Sequence, residues 1–321
     1  MQLKTATTVP IIGGWIIFAL WVCAWSGPAY ADLESPASFR VAVIVSYKIR
    51  PYLEALDGIE TTLKASENIE TDVFFLNRSE EDNSDAFRQK LEQISFNGII
   101  AVGPEAAVFA WQTFPDDFVI KLFSMVLNPH KLNLARYDRL CGVSLNISAS
   151  DQVRVISRAM PGVKTIGLLF DPAQNIDFYQ SALFATRELD VILVPLTVTS
   201  RKDLTTVLSS HWSGIDLLWL VPDHTVITES LVKYMIKKGI SKRVPVAGYN
   251  RFFYQSGACI AFVTDYRETG RKTAAMLTSV LGGGSRCIQG PFFETWVNER
   301  VLKKIGKPFA DDPMRKIRRG P

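Results

Sequence analysis

Short apolar runs alternate with stretches that carry apolar residues at helical spacing, beginning at residue 40. The apolar runs predict buried strands, and the stretches with helical spacing between them predict helices that cover those strands. In the first half, strands are predicted at 41–45, 73–76, 99–102 and 120–123, with helices from 52, over 85–94 and from 105. Strands that are apolar along nearly their whole length are typical of a parallel sheet covered on both faces.

The same rhythm restarts after a turn-rich stretch at 128–138. Strands are predicted at 165–170, 191–194, 217–220, 244–247 and 259–263, and helices lie between them. A final helix is predicted over 266–281, where the glycines at 282–284 end it. Two such arrays in a chain of 321 residues predict an α/β protein made of two doubly wound parallel-sheet lobes. No low-complexity linker separates the halves, which favours a compact hinge.

The N-terminus follows a different pattern. Lys4 precedes an apolar run over 11–25, and Ala29-Tyr30-Ala31 supplies the small residues that a signal peptidase requires. This pattern predicts a secretory signal over residues 1–31, cleaved before Asp32. The alternative is a permanent membrane anchor, which needs roughly 20 apolar residues and fits this shorter run less well. We therefore expect a periplasmic protein.

The charge distribution argues against a nucleic-acid partner. The formal net charge is +4, and removal of Lys4 leaves +3. Residues 303–319 carry seven Lys or Arg against two Asp, or +5, so the rest of the chain has a net charge of about −2. A body of this charge offers no basic face for nucleic acid, and we expect the basic end to be a solvated tail.

The chain shows no catalytic signature. It has no Gly-x-Ser-x-Gly elbow, no P-loop and no Gly-x-Gly-x-x-Gly after the first strand. His130, His211 and His224 are scattered, and no two cysteines have the spacing of metal ligands. A hydrolase with a dispersed triad is a minor alternative. We expect a protein that is not an enzyme and that needs neither cofactor nor metal.

Several motifs of the second half, taken in order, resemble those of one family. Residues 161–167 are similar to its Pro-Gly-x-Lys-x-Ile-Gly segment, and residues 265–271 to its Asp-Tyr-x-x-Leu-Gly-Arg segment. Asp171-Pro172 with Asn175 is similar to Asn-Pro-x-x-x-Asn, and the stretch 221–226 is similar to Pro-x-Asp-Asn-x-Val.

The first half carries matching pieces. Arg50-Pro51 with residues 55–58 resembles the family's first turn and helix, and residues 103–107 resemble its Gly-Thr-Pro-Ala-Ala turn. From residue 40 to about 306 the chain thus resembles the ABC transporter substrate-binding family, formerly a domain of unknown function, which includes tryptophan- and tyrosine-uptake receptors. The chain departs from the family pattern at Pro104, Asn128 and His224, near expected ligand positions, so the ligand class stays open.

The resemblance implies a type I periplasmic-binding fold, with two lobes joined by a multi-strand hinge. It places residues 32–143 plus 253–286 in lobe 1, residues 144–252 plus 287–306 in lobe 2, and residues 307–321 in a flexible basic tail. The hinge is expected near 141–145, 250–253 and 287–292. Cys141 and Cys287 then lie on neighbouring crossovers, where a disulfide is one hypothesis and buried free thiols, including Cys259, are the alternative.

In such a fold the ligand binds beyond the carboxyl ends of the strands. The residues expected there are Ser46, Tyr47, Gly103, Pro104, Glu105, Ala106, Asn128, Asp171, Asn175, Asp223, Tyr249 and Asn250. Helix N–H groups at 105–107 would hold an anionic group, and Asp171 or Asp223 would pair with an ammonium. Tyr47, Tyr249 and Phe252 would cover an apolar part of the ligand.

Each of these assignments has a structural alternative. Asn and Asp after strands are also turn formers and helix caps, Glu105 complements a helix dipole and would repel an anion, and large aromatic side chains often fill cores. Asp265 is expected to be an N-cap of the helix that follows it rather than a ligand contact.

The function implied by the resemblance is that of an extracytoplasmic receptor. We expect a monomer that closes over a small molecule, amino-acid-like by default, and delivers it to an ABC permease. The alternative is a periplasmic sensor that signals to a membrane protein, because the binding physics of the two would be identical. A cytoplasmic repressor is disfavoured by the signal segment and by the lack of a helix-turn-helix before residue 40.

Overall fold

The predicted alternation of strands and helices is present in a computed structural model, which describes residues 38–76, 85–114, 119–132, 134, 140–285, 287–310 and 317–319. The strands are β1 Phe39–Val45, β2 Ile69–Phe75, β3 Gly98–Val102, β4 Ile120–Val126, β5 Gly142–Ser144, β6 Thr165–Phe170, β7 Ile192–Thr197, β8 Leu217–Leu220, β9 Val246–Gly248, β10 Ile260–Thr264, β11 Ile288–Gln289, β12 Phe293–Val297 and β13 Ile317–Arg319. The helices are α1 Arg50–Lys64, α2 Asp85–Glu92, α3 Pro104–Thr113, α4 Ala149–Ala159, α5 Pro172–Arg187, α6 Leu204–His211, α7 Glu229–Lys242, α8 Arg251–Gln255, α9 Tyr266–Leu281 and α10 Glu299–Ile305, and a 3-10 turn covers Pro129–Leu132.

The first sheet contains six strands in the order β11-β5-β4-β3-β1-β2, and all of its pairs are parallel. Its central strands are buried along almost their whole length, since the sheet is covered on both faces. α1 and α9 cover one face, where Ile59 and Leu277 are fully buried. α3 covers the other, where Trp111 packs.

The second sheet contains seven strands in the order β13-β12-β10-β9-β8-β6-β7, and only β10 and β12 pair antiparallel. α4 and α5 pack on one face around Trp219, which is fully buried. α6 and α7 pack on the other face around Phe253. The expectation of an α/β protein with two parallel-dominated sheets is confirmed.

The strand pairing corrects the expected lobe boundaries at two places. β10 pairs with β9 and β12, so residues 260–264 belong to the second sheet and not to lobe 1. β11 pairs with β5, so residues 288–289 belong to the first sheet and not to lobe 2. Both differences arise because apolar periodicity predicts a strand without indicating which sheet it joins.

Three crossovers join the sheets, and one differs from its expected place. The first follows β5, the second lies at Asp265 between β10 and α9, and the third lies between β11 and β12. Residues 250–253 lie instead at the start of α8, within the second lobe. The last two crossovers are adjacent, because Asp265 N–H donates to the Phe292 carbonyl at 2.9 Å.

The basic C-terminal segment contains a strand. Residues 317–319 pair in parallel with Thr295–Val297, which corrects the expectation that 307–321 is a flexible tail. Ala310 N–H also donates to the Ala159 carbonyl, and Phe309 packs against the core of the second lobe. The open backbone of an edge strand explains the pairing, since such an edge accepts any extended segment.

α1 and α9 pack closely because two glycines face the neighbouring helix. A Cβ at Gly270 would overlap the backbone carbonyl of Ala55, and a Cβ at Gly58 would overlap that of Arg267. α9 begins with Asp265 as its N-cap, where the carboxylate accepts from Glu268 N–H at 3.0 Å. The expected capping role of Asp265 is therefore confirmed.

The hypothesised disulfide is not formed in the structure. Cys141, Cys259 and Cys287 are all free thiols. Cys141 and Cys287 are nevertheless neighbours on paired strands, since the Cys141 Sγ accepts from Cys287 N–H at 3.1 Å. The predicted signal peptide at 1–31 lies outside the described residues, and among the residues described no helix is long and apolar enough to span a membrane.

Candidate functional site

A cavity of about 960 Å³ lies at the carboxyl ends of the strands, where loops of both sheets meet. Its walls come from the loop after β4, the first crossover, α4, α5 and the loops after β8, β9 and β10. It is lined by Leu127, Asn128, His130, Lys131, Leu145, Asn146, Ile147, Ser148, Ala149, Ser150, Gln152, Arg154, Gln174, Asn175, Asp177, Phe178, Gln180, Ser181, Phe184, Ala185, Glu188, Val221, Pro222, Tyr249 and Thr264.

An irregular end of β4 directs Asn128 into this cavity. Met125 and Asn128 have left-handed backbone angles, with φ of 61° and 50°, and the pairing of β4 with β5 shifts between Ser124 and Val126. Asn128 N–H donates to the Asn146 Oδ1 at 2.8 Å, and the Asn146 side-chain amide donates back to the Asn128 Oδ1. Strained backbone at the edge of a cleft is a common property of binding loops.

Lys131 connects the two walls of the cavity. It follows β4 of the first sheet, and its Nζ donates to the Gln174 carbonyl of α5 at 2.6 Å. The hydrogen bond therefore joins elements that pack on different sheets.

The second-lobe wall is built on Asp223. Its Oδ2 accepts from Asp171 N–H and from the Asn175 side-chain amide, each at 2.8 Å. Its Oδ1 accepts from Thr225 N–H at 2.9 Å and from Val226 N–H at 3.2 Å. Asp223 is 6% exposed, so these four bonds satisfy a buried carboxylate.

Asp171 plays a similar structural part. It is the N-cap of α5, where its Oδ1 accepts from Ala173 N–H at 2.9 Å, and its Oδ2 accepts from the Thr225 hydroxyl at 2.7 Å. The carboxylates of Asp171 and Asp223 thus stabilise the fold, and neither residue lines the cavity. This corresponds to the capping alternative considered for both residues.

The Asp223 carboxylate positions the side chain of Asn175. Asn175 leaves the helical conformation within α5, at φ −132° and ψ 25°. Its two amide protons are given to the Pro222 carbonyl at 3.0 Å and to Asp223, which leaves its Oδ1 as an acceptor at the cavity wall. The kink in α5 therefore presents a fixed hydrogen-bond acceptor to the cavity.

Aromatic rings complete this wall. Tyr249 packs against Phe253, with ring centroids 4.7 Å apart, and burial raises the pKa of Tyr249 to about 12, with the charge of Asp223 adding to the effect. Phe178 packs edge-on against Trp219, whose Nε1–H donates to Gln152 at 3.0 Å. Tyr249 and Phe178 offer apolar surface beside the Asn175 acceptor.

The loops after β1 and β3 form a second group in the first lobe. Gly103 has φ 96°, and the Ser46 Oγ accepts from Ala106 N–H at 2.9 Å. Ala107 N–H donates to the Gly103 carbonyl, while Pro104 has no N–H to offer. The expected anion receptor at 105–107 thus has its Ala106 and Ala107 amides already bonded within the protein.

Tyr52 packs over this turn, since a Cβ at Gly103 would lie 2.9 Å from its Cζ. The pKa of Tyr52 is raised to about 12 by burial, with the charges of Glu105 and Tyr47 contributing to the effect. The ring of Tyr52 therefore lies at the turn that carries Glu105.

Of the residues expected to bind ligand, Asn128, Asn175 and Tyr249 meet in the cavity. Ser46, Tyr47, Gly103, Pro104, Glu105 and Ala106 form the first-lobe group, which does not line it. Asn250 caps α8 by accepting from Phe253 N–H at 3.3 Å, and Phe252 packs against Phe253 in the second-lobe core.

The sequence did not predict the cavity residues that lie on helices, on the turn after β4 and on the first crossover. These include Lys131, Asn146, Arg154, Gln174 and Phe184. The sequence carried no signal for these positions: Phe184 is 67% exposed, which only the structure shows. Among the residues described, no group of three or more His, Cys, Asp or Glu is arranged to hold a metal ion.

Comparison with known proteins identifies the architecture. A family model described as ABC transporter substrate binding protein matches residues 40–287. No curated protein sequence matches the chain.

Solved structures of substrate-binding proteins share the fold at low sequence identity. A domain from Streptococcus pneumonia in complex with L-Trp has 16% identity and a TM-score of 0.56, covering 86% of this chain and 97% of that one. The ligand-free, open form of a substrate-binding protein with adhesive properties from Clostridium difficile has 19% identity and a TM-score of 0.70, covering 87% and 98%. A periplasmic ribose ABC transporter protein from Conexibacter woesei has 11% identity and a TM-score of 0.57, covering 85% and 96%.

Proposed function

Because the chain belongs to the ABC transporter substrate-binding protein family, we propose that it is an extracytoplasmic receptor that captures a small molecule in its interlobe cavity and delivers it to an ABC permease. The proposal includes no catalytic step. The permease contact is transient, and the receptor acts as a monomer.

The observation that carries this proposal is the cavity itself. Its volume of about 960 Å³ lies within the range of small-molecule sites, and elements of both sheets line it. Its polar groups are side-chain amides, hydroxyls and a few charged groups placed among aromatic rings, which is the composition that orients a small polar ligand.

The hinge supports a closing motion. Three short crossovers join the lobes, and the second and third are hydrogen-bonded to each other through Asp265 and Phe292. A few residues at element ends are sufficient to absorb the backbone change of lobe closure. Closure over the ligand gives the permease a shape that differs from the unliganded receptor.

The ligand is expected to be amino-acid-sized and to carry a hydrogen-bond donor. The Asn175 Oδ1 would accept from that donor, while Tyr249 and Phe178 would pack against an apolar part. Asn128 would approach from the first-lobe side.

Export is part of the proposal. Residues 1–31 would direct secretion and would then be removed before Asp32. The intact mass of protein recovered from the periplasm should match a chain that begins at Asp32, and a mass that still includes residues 1–31 would contradict this.

A thermal-shift screen tests the binding function. The mature chain is heated with L-tryptophan, L-tyrosine, L-leucine, L-lysine, tryptamine, cadaverine, ribose or adenosine, and at least one compound should raise the melting temperature by several degrees. A ligand at 100 times its dissociation constant adds about 2.7 kcal/mol to the free energy of unfolding. A flat response of folded protein to every compound would contradict the proposal.

Asn175→Ala tests the proposed ligand contact, and Arg187→Ala is its matched control. Asn175→Ala should weaken binding of the stabilising compound about tenfold, because one hydrogen bond to the ligand is lost. Arg187 is exposed on the same helix and lies outside the cavity lining, so Arg187→Ala should bind normally.

An uptake assay distinguishes a receptor of an importer from a receptor of a signalling protein. Deletion of the gene should abolish uptake of the stabilising compound, and the wild-type gene should restore it. Unchanged uptake despite tight binding would favour a sensor.

A further inference from the structure

The walls of the cavity hold more acidic than basic groups that are available to a ligand. Asp177 and Glu188 line it, and no cation of the described chain lies within ion-pair distance of either carboxylate. Behind Asn175, the buried Asp171 and Asp223 accept hydrogen bonds only from neutral donors. Two cations lie beside these four carboxylates: Lys131 donates to the Gln174 carbonyl, and Arg201 donates to the carbonyls of His224 and Thr225. The carboxylates outnumber them, so the second-lobe wall keeps an excess of negative charge.

The basic groups of the cavity already have partners. Lys131 donates to the Gln174 carbonyl, and Arg154 lies 3.4 Å from the Asp151 carboxylate. A carboxylate at Arg154 would compete with Asp151, and one at Lys131 would share the ammonium group with the Gln174 carbonyl.

The first-lobe turn offers at most one backbone N–H to an anion, that of Glu105. Pro104 lacks an N–H, Ala106 N–H is bonded to Ser46, and Ala107 N–H is bonded to Gly103. The exposed Glu105 carboxylate stands at the same turn, and no described cation pairs with it. Because β3 and β4 are adjacent, this turn lies beside the loop that carries Asn128.

Aromatic rings accompany the acidic groups on both sides. The Tyr52 ring lies over the turn that carries Glu105, while Tyr249 and Phe178 line the cavity with Asn175. Rings next to carboxylates form a setting that attracts an organic cation, because the ring face and the carboxylate both favour positive charge.

Given the proposed receptor function, on which this inference rests, we propose that the ligand is an organic amine that lacks a carboxylate. Its ammonium group lies at the Asn175 acceptor, above the Asp171 and Asp223 carboxylates, and its apolar part lies against Tyr249 and Phe178. On lobe closure Glu105 faces the ligand from the first lobe and repels the carboxylate of an α-amino acid.

The test uses matched pairs that differ only in the carboxylate. Titration calorimetry compares tryptamine with L-tryptophan, tyramine with L-tyrosine, cadaverine with L-lysine and agmatine with L-arginine. In at least one pair the amine should bind ten times more tightly than its parent amino acid or better. Equal or tighter binding of the parent in every pair would overturn the inference and leave the receptor function standing.

Two variants locate the selectivity. Glu105→Gln should lower the preference for the amine over its parent about tenfold, since it removes the repelling charge from an exposed position. Glu67→Gln, which changes an exposed residue at the opposite end of the first sheet, should leave the preference unchanged. An unchanged preference in Glu105→Gln would overturn the role of this side chain.

The experiments distinguish a failure of the amine inference from a failure of the receptor function. If ribose or adenosine stabilises the protein and no member of any pair does, the amine inference is wrong and the receptor function holds. If no compound of either set binds, both fail.

Discussion

Asp223 and Asn175 account for most of the geometry of the second-lobe wall. Asp223 accepts four hydrogen bonds, three from backbone N–H groups and one from Asn175. The same carboxylate holds the loop after β8, the first turn of α5 and the amide that faces the cavity. Fold stability and the position of the cavity-facing amide are therefore coupled through one buried side chain.

Removal of that carboxylate should destabilise the protein. Asp223→Ala leaves three backbone N–H groups and the Asn175 amide without their acceptor, and each unsatisfied buried donor costs about 1–3 kcal/mol. We expect a loss of about 3–5 kcal/mol in the free energy of unfolding, measured by urea denaturation. His224→Ala, at the exposed neighbour, should change it by no more than about 0.5 kcal/mol. A loss below 1 kcal/mol for Asp223→Ala would show that the network is dispensable.

The three cysteines should differ in reactivity. Burial raises the pKa of the Cys259 thiol to about 11, Cys141 is also buried, and Cys287 is exposed. At pH 8 a thiol reagent should therefore label one cysteine of the native mature protein rapidly, and three after denaturation without reductant. Detection of only one thiol in the denatured protein would instead indicate the Cys141–Cys287 disulfide.

Part of the site was predictable at the residue scale. Asn128, Asn175 and Tyr249 follow strands of one α/β pattern, so topology alone brings them to the same edge. The sequence did not decide whether Asp171 and Asp223 cap or bind, because both roles use the same residue type after a strand. Lys131 and Arg154 were missed because their positions depend on how separate elements pack.

At the scale of elements, the contact between α1 and α9 holds the first lobe together. Gly58 and Gly270 allow the helix backbones to approach without intervening side chains. The same pair is also part of the hinge, since α9 begins directly after the second crossover. Tight packing at this position transmits any change at Asp265 to the first lobe.

A single methyl group should disturb this contact. Gly270→Ala places a Cβ against the Ala55 carbonyl, so the helices must separate, and overpacking of this kind costs about 1–3 kcal/mol. Gly162→Ala is the matched control, because a Cβ there would meet no atom within 4 Å. Thermal unfolding should show a lower melting temperature for Gly270→Ala only. Equal melting temperatures for both variants would contradict the packing argument.

Elements with a strong apolar period were predicted well. The strands at 165–170 and 217–220 and the helix at 266–281 coincide with β6, β8 and α9. The strands β5, β11, β12 and β13 were missed, and three of these have only two or three residues, too few to show a periodicity. They form by pairing with an existing edge, which is a tertiary effect.

At the scale of the whole molecule, two sheets joined by three crossovers form the architecture shared with solved substrate-binding proteins. The cavity between them is lined from both sides, and Lys131 joins the loop after β4 to α5 across it. The resemblance of short motifs indicated this architecture before the strand pairing was known. The sheet to which β10 and β11 each belong required the structure, because each strand directly precedes a crossover between the sheets.

Ligand-induced closure tests the central claim most directly. Spin labels at Lys48→Cys and Lys202→Cys, in a variant without native cysteines, occupy exposed positions beyond the carboxyl ends of β1 and β7, outside the cavity lining. The distance between them is measured by pulsed electron resonance, without ligand and with the compound that gives the largest thermal shift. We predict that the compound shortens the distance and that Asn175→Ala reduces the shortened population. An unchanged distance distribution with bound compound would contradict a receptor that closes over its ligand.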